Sequence, residues 1–150
     1  MKKILLLSFI MTIFLSCKKY SNQVSTETLN GKWSTGGYDF ILYDGSGKVV
    51  SHGVADAIKT YWTFDNKKIS LTNDFNTNVI SSEYTITNTS GQKKLLISNS
   101  ELAVQKEWKI DISANQNLQI SAEITERNLL KYGDNLYAVK GKKIIYFVKE

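Results

Sequence analysis

The chain contains no proline, one cysteine and one histidine among its 150 residues. A single cysteine cannot form an internal disulfide, and one cysteine with one histidine cannot supply the four ligands of a structural zinc site. No glycine-rich phosphate-binding loop precedes a helical pattern in the sequence. The composition therefore excludes disulfide-stapled and zinc-dependent domains, and it predicts a protein with no cofactor and no metal.

Candidate catalytic residues are few. His52 would need a nucleophile and an orienting carboxylate, but its neighbour Ser51 faces the other way if both lie on a strand. The tract Asp44-Gly45-Ser46-Gly47 lacks the further oxygen ligands of a calcium loop, so it predicts a hairpin turn. The carboxylates that could pair for glycoside hydrolysis alternate outward or lie near turns; they are Glu101, Glu107, Glu123 and Glu126. The sequence therefore predicts that the protein is not an enzyme.

The one sustained hydrophobic run lies at the N-terminus, where Lys2-Lys3 precedes the apolar segment from Ile4 to Leu15. This run of about a dozen residues is shorter than the roughly 20 that a transmembrane helix needs. A basic start, a short apolar segment and a small residue before Cys17 are the parts of a secretory signal peptide. We interpret residues 1–16 as a cleaved signal, residues 17–28 as a flexible polar tether, and residues 29–150 as one folded domain.

The end of this segment, Phe14-Leu15-Ser16-Cys17, resembles the lipobox of bacterial lipoproteins in the form found in the Bacteroidetes type. The resemblance implies that Cys17 is acylated, becomes the mature N-terminus and anchors the protein to the outer membrane. The alternative is a plain secreted protein with a free thiol, which is usually avoided in an oxidising compartment. Lys18 and Lys19 stand where an acidic tract would resemble a surface-export signal, so we expect a domain that faces the periplasm.

The positive charge is small and scattered in the sequence. The net charge is +5, and the leader removes two lysines, which leaves +3 (5 − 2) on the mature chain. Pairs of lysines at predicted turns, namely Lys67-Lys68, Lys93-Lys94 and Lys142-Lys143, indicate a solvated surface instead of a basic stripe. This pattern in an exported chain argues against nucleic acid as a partner.

Apolar and polar residues alternate over most of the domain, which is the period of strands with one buried face. The clearest runs, Trp108 to Ser113 and Leu118 to Thr125, flank Asn115-Gln116-Asn117 and predict an antiparallel hairpin. Turn signals recur about every ten residues, a spacing typical of an all-β sandwich or barrel. Only Gly53 to Thr60 and Glu126 to Lys131 suggest short helical turns.

The alternation also predicts which side chains share the interior. Six large residues are expected to face one core: Trp33, Trp62, Tyr84, Trp108, Ile110 and Ile120. Lys109 and Gln119 are expected to face water. The last strand, Ile144 to Val148, is apolar on both faces, which predicts either the seam of a closing barrel or a contact with a partner. The absence of proline favours closure over an open sheet edge.

The tract Leu29-Asn30-Gly31-Lys32-Trp33-Ser34 resembles the Gly-x-Trp opening of lipocalins and of bacterial lipocalin-like domains. In those domains the glycine starts the first strand and the tryptophan closes the barrel floor. The tract from Tyr61 to Leu71 resembles their aromatic-x-Phe hairpin. The resemblance, from Leu29 to Glu150, implies an antiparallel up-and-down β-barrel of about 8 to 10 strands with little helix. It makes Gly31 and Trp33 structural residues.

Two functions are compatible with such a domain. A barrel of about eight strands can be filled by side chains or can hold one small ligand. The leading expectation is a membrane-anchored envelope lipoprotein whose barrel binds a small apolar ligand, with no ligand-binding residue assigned. The alternative is a solid-core accessory or inhibitor lipoprotein that contacts an envelope protein through its loops and last strand.

Overall fold

The computed structural model describes residues 26–55, 58–75, 78–99, 105–113 and 117–150. The first elements are the helix α1 (Thr26–Leu29) and the strands β1 (Gly31–Tyr43), β2 (Val49–Ala55), β3 (Thr60–Asp65), β4 (Lys68–Asn73) and β5 (Ile80–Thr89). They are followed by β6 (Gln92–Ile97), β7 (Glu107–Ile112), β8 (Asn117–Ile124), a 3-10 helix (Arg127–Leu130), β9 (Lys131–Gly133), β10 (Leu136–Tyr137) and β11 (Lys140–Lys149). None of the helices in these ranges is long and apolar enough to span a membrane.

Eight strands close into an antiparallel up-and-down barrel, as predicted. The neighbours run in the order β11-β8-β7-β6-β5-β4-β3-β1, and β11 also pairs with β1. The last strand is therefore the seam of the barrel, with Trp33 opposite Lys149 at one end of the β1–β11 pairing and Tyr43 opposite Lys140 at the other. The interpretation of Lys142-Lys143 as turn residues was wrong, because both lie within β11 and pair with β1.

Strand β1 is long enough to pair with two strands on one side. Its first residues, Gly31–Ser34, pair with β3, and residues Tyr38–Tyr43 pair with β2. We call the end of the barrel that holds Gly31 the lower end, and the end that holds the β1–β2 turn the upper end. The predicted closure is confirmed for the barrel, but within the described ranges β2 has no second neighbour, so this strand has a free edge that was not predicted.

The two predicted helical turns have different outcomes. Gly53 to Ala55 belong to β2 and Thr60 begins β3, whereas residues 56 and 57 lie outside the described residues. Helix propensity is a weak signal in so short a run, and pairing with β1 overrides it. The second turn is confirmed, since the 3-10 helix occupies Arg127–Leu130.

The predicted β7–β8 hairpin is also confirmed by its pairing, while residues 115 and 116 of its turn lie outside the described residues.

One hydrophobic core fills the lower and middle parts of the barrel. The rings of Trp62 and Phe147 meet edge-on with centroids 5.1 Å apart, and those of Phe64 and Tyr84 do so at 5.2 Å. Such ring pairs contribute about 0.5 to 1.5 kcal/mol beyond the burial of their area. All six residues predicted for the core are buried, Lys109 is exposed and Gln119 is partly exposed.

A second, smaller cluster lies at the upper end, where the segment 125–139 packs against the wall. It consists of Leu42, Ile124 and Ala138 with Leu130 and two other partly buried residues against them. Gly141 makes this close approach possible, because an added Cβ would lie 2.8 Å from Leu42 Cδ2 and 3.0 Å from both Ile124 Cδ1 and Leu130 Cδ2. The upper end is therefore covered by a thin layer of side chains.

Candidate functional sites at the upper end and on the outer wall

The residues singled out by the two resemblances lie at the start of the chain and at the lower end of the barrel. Cys17 is outside the described residues. Gly31 has a φ of 123°, which favours glycine, and the Cε of Lys149 lies 3.2 Å from the position of an added Cβ. Trp33 is 1% exposed, and its Nε1 donates to the carbonyl of Leu29 at 2.7 Å. Both residues are thus part of the barrel floor.

His52 lies on an exposed part of the outer wall. Its Nε2 is 3.7 Å from Asp39 Oδ2, and Tyr146 Oη donates to the same oxygen at 2.9 Å. Burial and this hydrogen bond raise the pKa of Tyr146. Ser51 pairs with the inward-facing Leu42, so it points away from His52, as the strand period predicts. No nucleophile in the described ranges is hydrogen-bonded to His52, and the cluster lacks the geometry of a catalytic triad.

The Asp44 tract is a hairpin turn, as predicted. Asp44 Oδ1 accepts hydrogen bonds from Ser46 Oγ at 2.7 Å and from the backbone N–H groups of Ser46 and Lys48 at 2.9 Å each. These bonds, the Ser46 hydroxyl first, lower the pKa of Asp44. The carboxylate is therefore used to hold the turn between β1 and β2.

Two of the glutamates considered for acid–base chemistry bind other side chains in the described part of the chain. Glu101 lies outside the described residues. Glu107 Oε1 accepts from Lys94 Nζ at 2.6 Å, and Glu126 Oε2 accepts from Gln105 Nε2 at 3.2 Å. In the part of the chain that the structure describes, no three His, Cys, Asp or Glu side chains are grouped so that they could hold a metal ion.

The upper part of the interior contains a lysine that the sequence analysis placed on the surface. Lys143 follows the inward parity of Ile145 and Phe147 on β11, and its Nζ lies 4.9 Å from the ring centroid of Tyr38 and 5.5 Å from that of Phe40. Burial lowers the pKa of Lys143, and the charge of Glu126 opposes this effect. The two-residue period from Phe147 back to Lys143 was the signal that could have found it.

We call the group of residues around this lysine the upper mouth; it is formed by Tyr38, Gln105, Trp108, Glu126 and Lys143, and hydrogen bonds join three of them. Trp108 Nε1 donates to the carbonyl of Gln105 at 2.8 Å, and the Gln105 side chain donates to Glu126. Burial raises the pKa of Tyr38, against a smaller opposing effect of its hydrogen bond with Thr60. The upper mouth thus combines a cation, a carboxylate and an amide with aromatic walls.

The outer wall carries a second candidate site, a groove of about 780 Å³ that we call the lysine groove. It crosses the outer face of β7, β8 and β11. Its charged lining consists of Lys94, Lys106, Lys109, Lys140, Lys142, Glu107, Glu123 and Glu126. Ser121 also lines it and is only 5% exposed although it belongs to the outer face, so the groove has depth.

Exposed apolar side chains concentrate at the upper end. They occur on β2 and after it, in the β4–β5 connection and in the segment 125–139; those more than half exposed are Val54 (70%), Ile58 (60%), Phe75 (84%), Val79 (59%), Leu136 (52%) and Val139 (69%). Val148 (53%), opposite Ser34, is the exception near the lower end. The free edge of β2 lies at the same end. A free strand edge and exposed apolar groups are both features by which a second polypeptide can be bound.

Comparison of the chain with protein-family models, with curated proteins and with solved structures found no match.

Proposed function

We propose that this chain is an outer-membrane lipoprotein, anchored by a lipid on Cys17 and facing the periplasm, that acts as an accessory or inhibitor of an envelope protein through direct contacts. The main support is the filled interior. Large side chains that face the barrel axis, such as Trp33, Trp62 and Phe147, are at most 4% exposed. A barrel packed in this way is a rigid support, and recognition is then the task of its surface.

The position of the exposed apolar groups indicates which surface is used. The helix α1, which includes the last three residues of the proposed tether, lies at the lower end beside Trp33. The apolar side chains of Val54 and Phe75 and the free edge of β2 lie at the upper end. A lipid attached before α1 would hold the lower end towards the membrane and leave the upper end available to a partner. An extended segment of that partner could add to β2 as a further strand.

The proposal can be tested with photo-crosslinking amino acids in intact cells. A crosslinker at Val54 or Phe75 should yield a discrete adduct with one envelope protein, whereas a crosslinker at the exposed lower-end residue Lys67 should not. Equal adducts from all three positions, or none from the upper end, would contradict a partner at that end.

The anchor is tested separately by metabolic labelling. Labelled fatty acid should enter the wild-type protein and should not enter Cys17→Ser. Equal labelling of both proteins would mean that Cys17 is not the site of acylation, and the envelope location would then need another basis. Protease treatment of intact cells adds the orientation, since a periplasm-facing domain should resist it.

The upper mouth supports a second candidate function, the binding of a small apolar ligand with a negatively charged end. The observation that favours it is the inward Lys143 amine beside the rings of Tyr38 and Phe40. An anionic apolar fluorescent probe, anilinonaphthalene sulfonate, should then bind at one saturable site, and Lys143→Met should weaken binding while the outward Lys109→Met should not. Absence of saturable binding by the wild type would leave the contact function as the better proposal.

A further inference from the structure

We propose that the lysine groove is a binding site for a small polyanion, a molecule with two or more phosphate or carboxylate groups. The groove reaches the upper end at Gly47 and shares Gln105 and Glu126 with the upper mouth, but neither Val54 nor Phe75 lines it. This proposal therefore does not depend on the contact function. It rests on the way that strand alternation gathers lysines which are far apart in the sequence.

Two of the lysine pairs that looked like turn residues lie within strands, and each pair is divided between the two faces of the sheet. On β6 the buried Leu95 fixes the parity, so Lys94 points outward into the groove. On β11 the buried Ile145 has the same effect, so Lys142 lines the groove while Lys143 faces inward. The interpretation of these pairs as scattered turn residues was therefore wrong.

The pairing register brings a third lysine between them. Lys109 of β7 lies directly opposite Lys94 on one side and opposite Ser121 of β8 on the other. Two further lysines, Lys106 and Lys140, line the same groove. Five lysines and three glutamates line the groove, which gives it a formal charge of +2 (5 − 3).

The glutamates do not neutralise the groove evenly. Glu107 is bound to Lys94 and Glu126 accepts a hydrogen bond from Gln105. Glu123 lies directly opposite Lys142 in the β8–β11 register, although among the described side chains the two form no ion pair. Lys109 has Lys94 and Ser121 opposite it and forms no ion pair among these residues either. Lys109 is thus available to a bound anion, and Lys142 has one carboxylate facing it.

The arrangement of Lys94 and Lys109 has a cost in the free protein. Like charges directly opposite on neighbouring antiparallel strands destabilise a sheet, and Glu107 compensates only one of the two. An anion in the groove would relieve the repulsion. The volume of about 780 Å³ is within the range of roughly 300 to 1,000 Å³ that is typical of small-molecule sites. Depth, charge and size together point to a compact anion with several charged groups.

The test is calorimetric titration of the full-length lipoprotein in nonionic detergent with two soluble probes, inositol hexakisphosphate and trigalacturonic acid. At least one probe should bind with a stoichiometry of one. The double variant Lys109→Gln/Lys142→Gln should weaken its binding by roughly tenfold or more, because hydrogen bonds to charged groups are lost. The control Lys67→Gln/Lys68→Gln removes the same charge from the lower turn and should change affinity less than about twofold.

Preference for the phosphate or for the carboxylate probe identifies the chemistry of the natural ligand, and either preference supports the proposal. An equal loss in both double variants would mean that diffuse charge attracts the probe, and it would overturn the site. Failure of both probes to bind, or binding only to phosphatidylglycerol vesicles, would overturn it as well. A melting temperature of Lys109→Gln at or above that of the wild type would show that lost binding is not lost folding.

Discussion

The lower barrel and the upper end of this protein bury different kinds of side chain. In the lower barrel, tryptophan, phenylalanine and isoleucine side chains pack against one another, and the hydroxyl of Tyr84 is the buried side-chain polar atom that has no hydrogen-bond partner in the described residues. At the upper end, Lys143 shares the interior with aromatic rings, and a thin cluster around Leu42 covers it. The apolar packing of the lower barrel holds the strands together, whereas the polar and charged side chains of the interior are concentrated at the upper end.

The different roles of strand pairing explain this division. Around the lower barrel every strand has two neighbours, so its backbone groups are paired and its inward side chains meet others across the axis. Above the level of Tyr38, β1 pairs with β2, whose other edge is free. With fewer strands to enclose them, the side chains there remain partly exposed, which makes them available for binding.

The largest expected effect comes from opening a cavity in the main hydrophobic core at Trp108, where this core meets the upper mouth. Trp108 is 2% exposed and Lys109, its neighbour, points outward. Trp108→Ala should lower the free energy of unfolding by about 3 to 5 kcal/mol, because it loses buried area and leaves a cavity. Lys109→Ala should stay within about 0.5 kcal/mol of the wild type. Urea unfolding followed by tryptophan fluorescence measures both, and a similar loss in the two variants would contradict the assigned faces.

The inward and outward faces of the strands were predictable from the sequence for a simple physical reason. The period of two is local, so Trp108 and Lys109 were assigned to opposite faces without knowledge of the barrel. The last strand was recognised in another way, because it is apolar on both faces, and this left the barrel seam and a partner contact as alternatives. The period of two would have placed the Lys143 side chain inside the barrel. Lys142-Lys143 was instead interpreted as a turn because paired lysines are typical of turns, and the alternation along the strand was not applied to them.

Other features depend on contacts that no local pattern contains. The hydrogen bond from Tyr146 to Asp39 joins residues 107 positions apart, and the lysine groove depends on the register of three strand pairs. The free edge of β2 was missed because the absence of proline says nothing about which strand lacks a neighbour. The order and faces of strands were thus predictable from the sequence, whereas the candidate sites, which arise between strands, were not.

A smaller effect on stability is expected from adding a methyl group at the tightly packed Gly141, compared with the same change at Gly53, which has open space around it. Gly141→Ala places a methyl group 2.8 Å from Leu42 Cδ2, whereas an added Cβ at Gly53 meets nothing within 4 Å. We expect Gly141→Ala to cost about 1 to 3 kcal/mol through overpacking. Gly53→Ala should be neutral or slightly stabilising, since it restricts the unfolded chain. Equal melting temperatures of the two variants would mean that the upper cluster yields easily.

The buried hydroxyl of Tyr84 offers a change of opposite sign in the lower barrel. Burial, with a contribution from Asp65, raises the pKa of this phenol, and among the described residues its oxygen has no partner. Tyr84→Phe should therefore stabilise the protein by about 1 kcal/mol, because a desolvated polar group is removed. Tyr146→Phe is the control, since it removes a hydroxyl that donates to Asp39 and should be neutral or slightly destabilising. Thermal unfolding of both variants gives the comparison, and destabilisation by Tyr84→Phe would imply a partner for the hydroxyl.

The smallest effect concerns the charge inside the upper end and is visible as a dependence on pH. Burial lowers the pKa of Lys143 in the folded protein below its ordinary value, which is about 10.4. The folded state therefore binds fewer protons than the unfolded state just below that pH, so the contribution of this group to stability rises with pH there. Lys143→Met keeps the length of the side chain and removes the titration, and at pH 7 it should be within about 1 kcal/mol of the wild type or more stable. The stability of the wild type minus that of Lys143→Met should increase as the pH rises towards about 10.4. Urea unfolding at several pH values below this point measures the difference, and a flat result would mean that the Lys143 amine is fully solvated in the folded protein.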